Sequence, residues 1–320
     1  MRELGHTLAE SIDCQTEAIG TDSDREELAR ISSSLRGGVS LEEALSSDHS
    51  NEIRDFIRRN VCDQIEAAER QALKEIALHP EDSTYARLMG KALEVNQVLN
   101  VVTTNYDRLI EALASLAGLR IDSMFSGQTV GILSDVRAGQ EQATLRRRNT
   151  GSTRSRRALV AAKHLRLAKP HGSLDWREID GRVFRSDLLR GVPHIIAPTK
   201  GKYREGYGVG FQEHIARAAQ AVSEASAFLF VGFGFNDDHL QTHLASRLRA
   251  VPSVVLAHTL TSSARHYLAE SPPMLAIESS GAGPTGALVH FGEESFTTKE
   301  DLWELDELLT HVLSAPRRNA

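Results

Sequence analysis

The chain has 320 residues, 41% hydrophobic and 25% charged, enough for one large domain or for a core domain carrying a sizeable insertion. A net charge of −6 argues against a surface wholly committed to nucleic acid, leaving only a local basic patch open. Cys14 and Cys62 cannot build a four-cysteine zinc site, no run approaches the roughly 18 apolar residues of a membrane span, and the amino terminus has no apolar signal run, so the expectation is a cytoplasmic protein without zinc.

Residues 1–95 read as a polar helical module. Leu4, Leu8 and Ile12 recur at helical spacing, as do Leu73 and Ile76 and then Tyr85, Leu88 and Leu93. Ser40-Leu41-Glu42-Glu43 has the carboxylates of a helix start. The character changes at Val98, where the β-branched run Val98–Thr104 predicts a buried strand, followed by a helix from Asp107. Residues 146–157 hold six arginines and no acid, which reads as a solvated loop or as a contact for phosphate or a partner. Further strands are predicted at His164–Leu167, Val192–Ala197, Ala227–Val231, Val254–Ala257 and Leu288–Phe291. Helices are predicted at 211–225, from Asp238, at 262–269 and from about 298. This alternation implies an α/β fold over residues 96–320: a Rossmann-like, mostly parallel sheet with helices on both faces.

Four polar constellations follow predicted strands. Thr103-Thr104-Asn105-Tyr106-Asp107 ends the first, where ligands of open α/β sheets bind, although Asp107 equally suits a helix cap. Lys169-Pro170-His171-Gly172-Ser173-Leu174-Asp175-Trp176 sets a histidine in a tight turn, as a general base or as a structural residue. Gly232-Phe233-Gly234-Phe235-Asn236-Asp237 allows close backbone approach and offers groups for ribose hydroxyls, or simply ends a strand and caps a helix. It is not GxGxxG, and no Walker A sequence occurs. Pro198-Thr199-Lys200-Gly201-Lys202-Tyr203 is a cationic turn after another predicted strand, either a phosphate contact or merely an exposed turn.

Taken in order along residues 96–260, TTNYD, KPHGSLDW, PTK and VGFGFNDDHL resemble the sirtuin-like family, and especially its zinc-free bacterial branch in anti-phage defence. The resemblance implies a Rossmann-like NAD site and cleavage of NAD at the nicotinamide–ribose bond. Asn105 and His171 would be the catalytic pair, and Asp107 would lie near the nicotinamide carboxamide. Thr103 and Thr104 would line the pocket floor, and Gly232, Gly234, Asn236 and Asp237 would meet the adenine-side ribose. It also implies a homo-oligomer, a HerA-type hexameric ATPase or another defence protein as partner, and nucleic acid at most through Arg146 to Arg157.

Two departures shape the expectation. Deacylating sirtuins carry a four-cysteine zinc module, and Gln where this chain has Thr104; both differences lean from deacylation to NAD hydrolysis. The family's opening strand and Gly-Ala-Gly type loop have no counterpart in residues 1–95, so the chain either starts downstream of the usual start or lacks that loop. The alternative is a non-catalytic module that binds NAD or ADP-ribose and regulates a defence complex.

Overall fold

A computed structural model describes residues 2–15, 21–39, 41–45, 49–148, 156–196, 208–271, 273–281 and 285–313. The chain divides into two compact units, residues 1–214 and 215–320.

The first unit opens with helices α1 (Arg2–Gln15), α2 (Asp22–Arg36), α3 (Leu41–Ala44), α4 (Asn51–Leu78) and α5 (Thr84–Val95). Their starts follow from local chemistry. Thr21 and Asp24 form a reciprocal capping box on α2, and the hydroxyls of Ser50 and Ser83 accept from the first turns of α4 and α5. Apolar residues at helical spacing then meet in one core: Leu8 and Ile12 of α1, Leu28, Ile31 and Leu35 of α2, and Ile53, Ile57 and Val61 of α4.

Strand β1 (Val98–Val102), helix α6 (Leu109–Leu116) and strand β2 (Ile121–Asp122) follow. Next come β3 (Phe125–Ser126), β4 (Gly131–Leu133), α7 (Asp135–Glu141), β5 (Ala143–Arg148), β6 (Arg156–Ala161), β7 (His164–Ala168), β8 (Trp176–Ile179) and β9 (Arg182–Arg185). β7 is the middle strand of a parallel sheet in the order β1-β7-β2. Leu99, Val101, Leu165 and Ile121 turn one face of this sheet onto Ala86, Met89 and Leu93 of α5 and Leu113 of α6. Strands β3, β4, β9 and β8 form an antiparallel sheet beside it.

Helix α8 (Phe211–Glu224) crosses the unit boundary. The second unit holds β10 (Phe228–Val231), α9 (Asp238–Leu248), β11 (Ser253–Ala257), α10 (Ser262–Glu270), β12 (Met274–Ser279), β13 (Ala287–Phe291), β14 (Glu294–Thr298) and α11 (Leu305–Leu308). β10, β11 and β12 run parallel, and β13 and β14 complete the five-stranded sheet antiparallel. The predicted α/β fold is therefore present, with parallel strands joined through helices in the Rossmann-like manner.

Three sequence expectations are corrected. Val192–Ala197 is no strand over its described residues: it makes one antiparallel bridge, Gly172 to Ile195, and Pro193 has no N–H to donate to a ladder. The last helix begins at Leu305 rather than near 298, because Glu294–Thr298 pairs with β13. The arginine-rich stretch is not simply a loop: its ends form the β5/β6 hairpin, with Arg147 opposite Arg157 and Arg148 opposite Arg156. Residues 149–155, and the side chains of 145–158, lie outside the described residues.

One buried charge ties the second unit together. Glu278 on β12 accepts from the Leu260 backbone N–H at 2.8 Å and meets Arg265 at 2.8 Å and His290 at 2.9 Å. Burial pushes its carboxyl up, but these hydrogen bonds outweigh burial and hold it below the ordinary range. A depressed folded-state value means the stabilisation is full above the ordinary carboxylate range and is lost as pH falls through the lower, folded-state value. Glu278→Gln is expected to cost roughly 2 kcal/mol at neutral pH, and much less at an acid pH below the folded-state value, in urea denaturation. An equal loss at both pH values would contradict this account.

Candidate functional site

The two loops of interest leave the same end of neighbouring strands. β1 and β7 pair in parallel from Val98–His164 to Val102–Ala168, and the Thr103 N–H donates to the Ala168 carbonyl at 3.0 Å, extending the ladder one residue further. Beyond that point the chains become the 103–108 and 169–175 loops. Asn105 and His171 therefore sit on adjoining loops past the carboxyl ends of two hydrogen-bonded strands.

Asn105 is exposed, and its N–H donates to Thr103 Oγ1 at 3.1 Å, a turn of the kind short hydroxyl side chains favour. Thr103, Thr104 and Asp107 are half-buried. Asp107 Oδ1 accepts from the Leu109 N–H at 3.0 Å, an Asx-type turn onto the first residue of α6, whose N-cap position is Arg108. His171 is buried, 8% exposed, and its carbonyl accepts from the Ile196 N–H at 3.0 Å. Gly172 fixes the turn beside it. Its φ is +87°, and a Cβ there would stand 2.2 Å from the His194 carbonyl oxygen and 2.9 Å from Ile195 Cα, so no larger residue fits.

Direct bonds cross-link the loops. The Tyr106 carbonyl accepts from the Leu174 N–H at 3.0 Å and from the Ser173 hydroxyl at 3.2 Å, while the Tyr106 hydroxyl donates to the Ile196 carbonyl at 2.7 Å. Lys169, 1% exposed, donates from Nζ to Ser173 Oγ at 3.0 Å, to Glu111 Oε1 at 3.4 Å and to the Asp107 carbonyl. Arg108 reaches back to the helices: its guanidinium and its backbone N–H bind Glu69 of α4, whose side chain is fully buried, and it also pairs with Asp187. Burial works against the Arg108 charge, yet the Glu69 hydrogen bonds and the charges of Glu69, Asp187 and Asp175 raise its affinity for the proton.

His214 on α8 holds the β7 loop from the other side. Its Nδ1 lies 3.0 Å from the Lys169 N–H. A backbone N–H can only donate, so Nδ1 carries a lone pair and the ring is neutral with its proton on Nε2. The same ring stands 4.6 Å from the Trp176 ring.

In the second unit, β10 ends at Gly232, with φ +64° and its N–H on the Leu256 carbonyl at 2.8 Å. The Gly234 carbonyl accepts from Thr261 Oγ1 at 2.6 Å, and Asn236 Oδ1 from Ser263 Oγ at 2.9 Å. The Asp237 carbonyl accepts from the Leu240 and Gln241 N–H groups as α9 begins. Phe235, fully buried at φ +54°, is an unusual left-handed bulky residue, held by Phe230, Phe233 and Tyr267. The 198–203 turn lies outside the described residues. A shallow pocket among Glu94, Arg120 and Lys163 opens at the amino ends of β1, β2 and β7, opposite to where ligands of such sheets bind.

Sequence reasoning named Lys169 within its motif but gave it no role, and missed Glu111, Glu69 and His214. Signals existed for two of them: Glu111 interrupts an otherwise apolar stretch of α6, and His214 shares the helical spacing of Phe211, Ala218 and Val222. Glu69 stands in a polar helix and carries none.

Parallel strands with polar loops at their carboxyl ends define an α/β protein of the nucleotide-binding type. Residues 99–276, more than half of the chain, match the family model of the SIR2-like domain, and the chain belongs to that family. The matched segment contains Asn105, His171 and the Gly232–Asp237 loop, and it gives the chain an NAD-related activity in general terms. No curated protein matches the chain.

His214→Phe keeps a ring against Trp176 but leaves the buried Lys169 N–H without its acceptor. It is expected to lose roughly 1–3 kcal/mol in chemical denaturation, with His214→Asn losing less. A Phe variant as stable as the parent would remove this hydrogen bond from the account.

Proposed function

We propose that the chain hydrolyses NAD at the nicotinamide–ribose bond, giving nicotinamide and ADP-ribose without zinc. The parallel pairing of Val102 with Ala168, which sets Asn105 and His171 on adjoining, cross-linked loops, is the observation that carries this reading. In the reaction, the glycosidic C–N bond breaks through an oxocarbenium-like state and its electron pair leaves with nicotinamide as a neutral amide. Water adds to the ribose carbon, and His171 takes its proton as general base. Asn105, able both to donate and to accept, orients that water or the ribose hydroxyls. Thr103 and Thr104 form the pocket floor and Asp107 stands by the carboxamide. The adenine-side ribose falls to the loop of Gly232, Gly234, Asn236 and Asp237.

The proposal takes residues 96–320 as the NAD-binding domain and residues 1–95 as a helical module. The family resemblance suggests its setting, anti-phage defence as a homo-oligomer or beside a HerA-type ATPase.

Nicotinamide release by the full-length protein, alone and with its genomic neighbours' products, tests the reaction. His171→Ala is expected to lower turnover by roughly 10²–10⁴-fold and Asn105→Ala to abolish most of it. Equal turnover by parent and both variants would remove the proposal. A second reading is a non-catalytic sensor of NAD or ADP-ribose. Calorimetric binding of NAD without nicotinamide release would select it.

A further inference from the structure

Lysine is almost never fully buried unless it is paired, and Lys169 is both. Its ammonium has three N–H donors and meets three acceptors: the Asp107 carbonyl, Ser173 Oγ and Glu111 Oε1. These come from three places. Asp107 lies in the loop after β1, Glu111 in the helix that this loop starts, and Ser173 in the loop after β7; Lys169 itself directly follows the last residue of β7. Asp107 is two positions past Asn105, and Lys169 and Ser173 flank His171 by two positions on either side. One buried charge thus grips the chain on both sides of His171 and just beyond Asn105.

The cluster is poorly explained by stability. Glu111 Oε2 is buried with no hydrogen-bond partner among the described residues, and burial pushes the Glu111 carboxyl up against the pull of Lys169. A buried ion pair of this kind is often replaced by apolar groups of similar volume without loss of stability. What apolar groups cannot do is hold a carbonyl, a hydroxyl and a carboxylate at fixed separations.

We propose that Lys169, with Glu111 as its counter-charge, is the positioning residue of this site: it sets the spacing between the Asn105 loop and the His171 loop. The inference rests on the NAD-hydrolysis reading for its kinetic readout, and has a second readout that does not.

The experiment compares full-length parent, Lys169→Met, the double variant Lys169→Met with Glu111→Met, and Ser173→Ala. Each is measured for thermal midpoint, for kcat and KM of nicotinamide release from NAD, and for the ring resonances of His171 in histidine-labelled protein, assigned with His171→Ala. Lys169→Met is expected to fold less stably, because it strands a buried carboxylate. The double variant is expected to regain the parental midpoint while kcat stays down by roughly 10²-fold, the scale of a misplacement of about 1 Å, with KM moving far less. Its His171 resonances are expected to shift. Parental kcat together with unmoved His171 resonances in the double variant would overturn the proposal, leaving Lys169 a structural partner of Glu111. If the parent releases no nicotinamide, the hydrolase reading fails by itself, and the His171 resonances then decide the positioning claim: shifted supports it, unshifted overturns it. Should the lysine variants not fold, Ser173→Ala, which removes one of the three acceptors, decides in the same way by a smaller shift or none.

Discussion

The parallel ladder between β1 and β7 is the constraint on which the candidate site depends. Five paired positions, ending at Val102 and Ala168, fix the direction and register of two strands, and hence the point at which both chains leave the sheet together. A parallel pair requires a crossover connection, here the long stretch from α6 to β6, so residues more than sixty positions apart arrive side by side only because the ladder closes. Slipping the register by one residue would send Leu99, Val101 and Leu165 away from helices α5 and α6. The apolar face of the sheet therefore guards the geometry of the loops.

Beyond the ladder, electrostatics takes over from hydrophobic packing. The 103–108 loop is held from below by Lys169 and Glu111, and from the side by Arg108, whose guanidinium reaches the fully buried Glu69 of α4. Tyr106 packs against the core of α1, α2 and α4 while its hydroxyl and carbonyl bind the segments around Ile196 and Ser173. The helices ahead of β1 are thus part of the support of the candidate site, not an appendage to it. Removing one partner from such buried charges is far more damaging than the net worth of the pair, which makes this junction sensitive to single substitutions.

Much of the fold was legible where a residue's own preferences agree with its surroundings. The β-branched runs at 98–102 and 253–257 became strands, and the spacing of Phe211, Ala218 and Val222 became the buried face of a helix. The misreadings share a cause. Arg146 to Arg148 has no strand-like pattern, and pairing with 156–158 decided its conformation. Val192–Ala197 has the composition of a strand, but Pro193 cannot donate, and the neighbouring N–H groups of His194 and Ile196 go to Trp176 and His171. Asp107 and Asp237 each had two local readings; both residues are seen at helix starts, which leaves a ligand role to be proposed rather than read.

By itself the sequence determined the α/β class, the polar loops at strand ends and the order of motifs that marks a SIR2-like domain, because these rest on residue type and short spacing. The tertiary structure alone decided that the Asn105 and His171 loops are neighbours and that Lys169, Glu111, Glu69 and His214 hold them. The physical reason is that burial and partnership belong to pairs of residues far apart in the chain, and no local pattern in either partner encodes which distant group will meet it in a place without water.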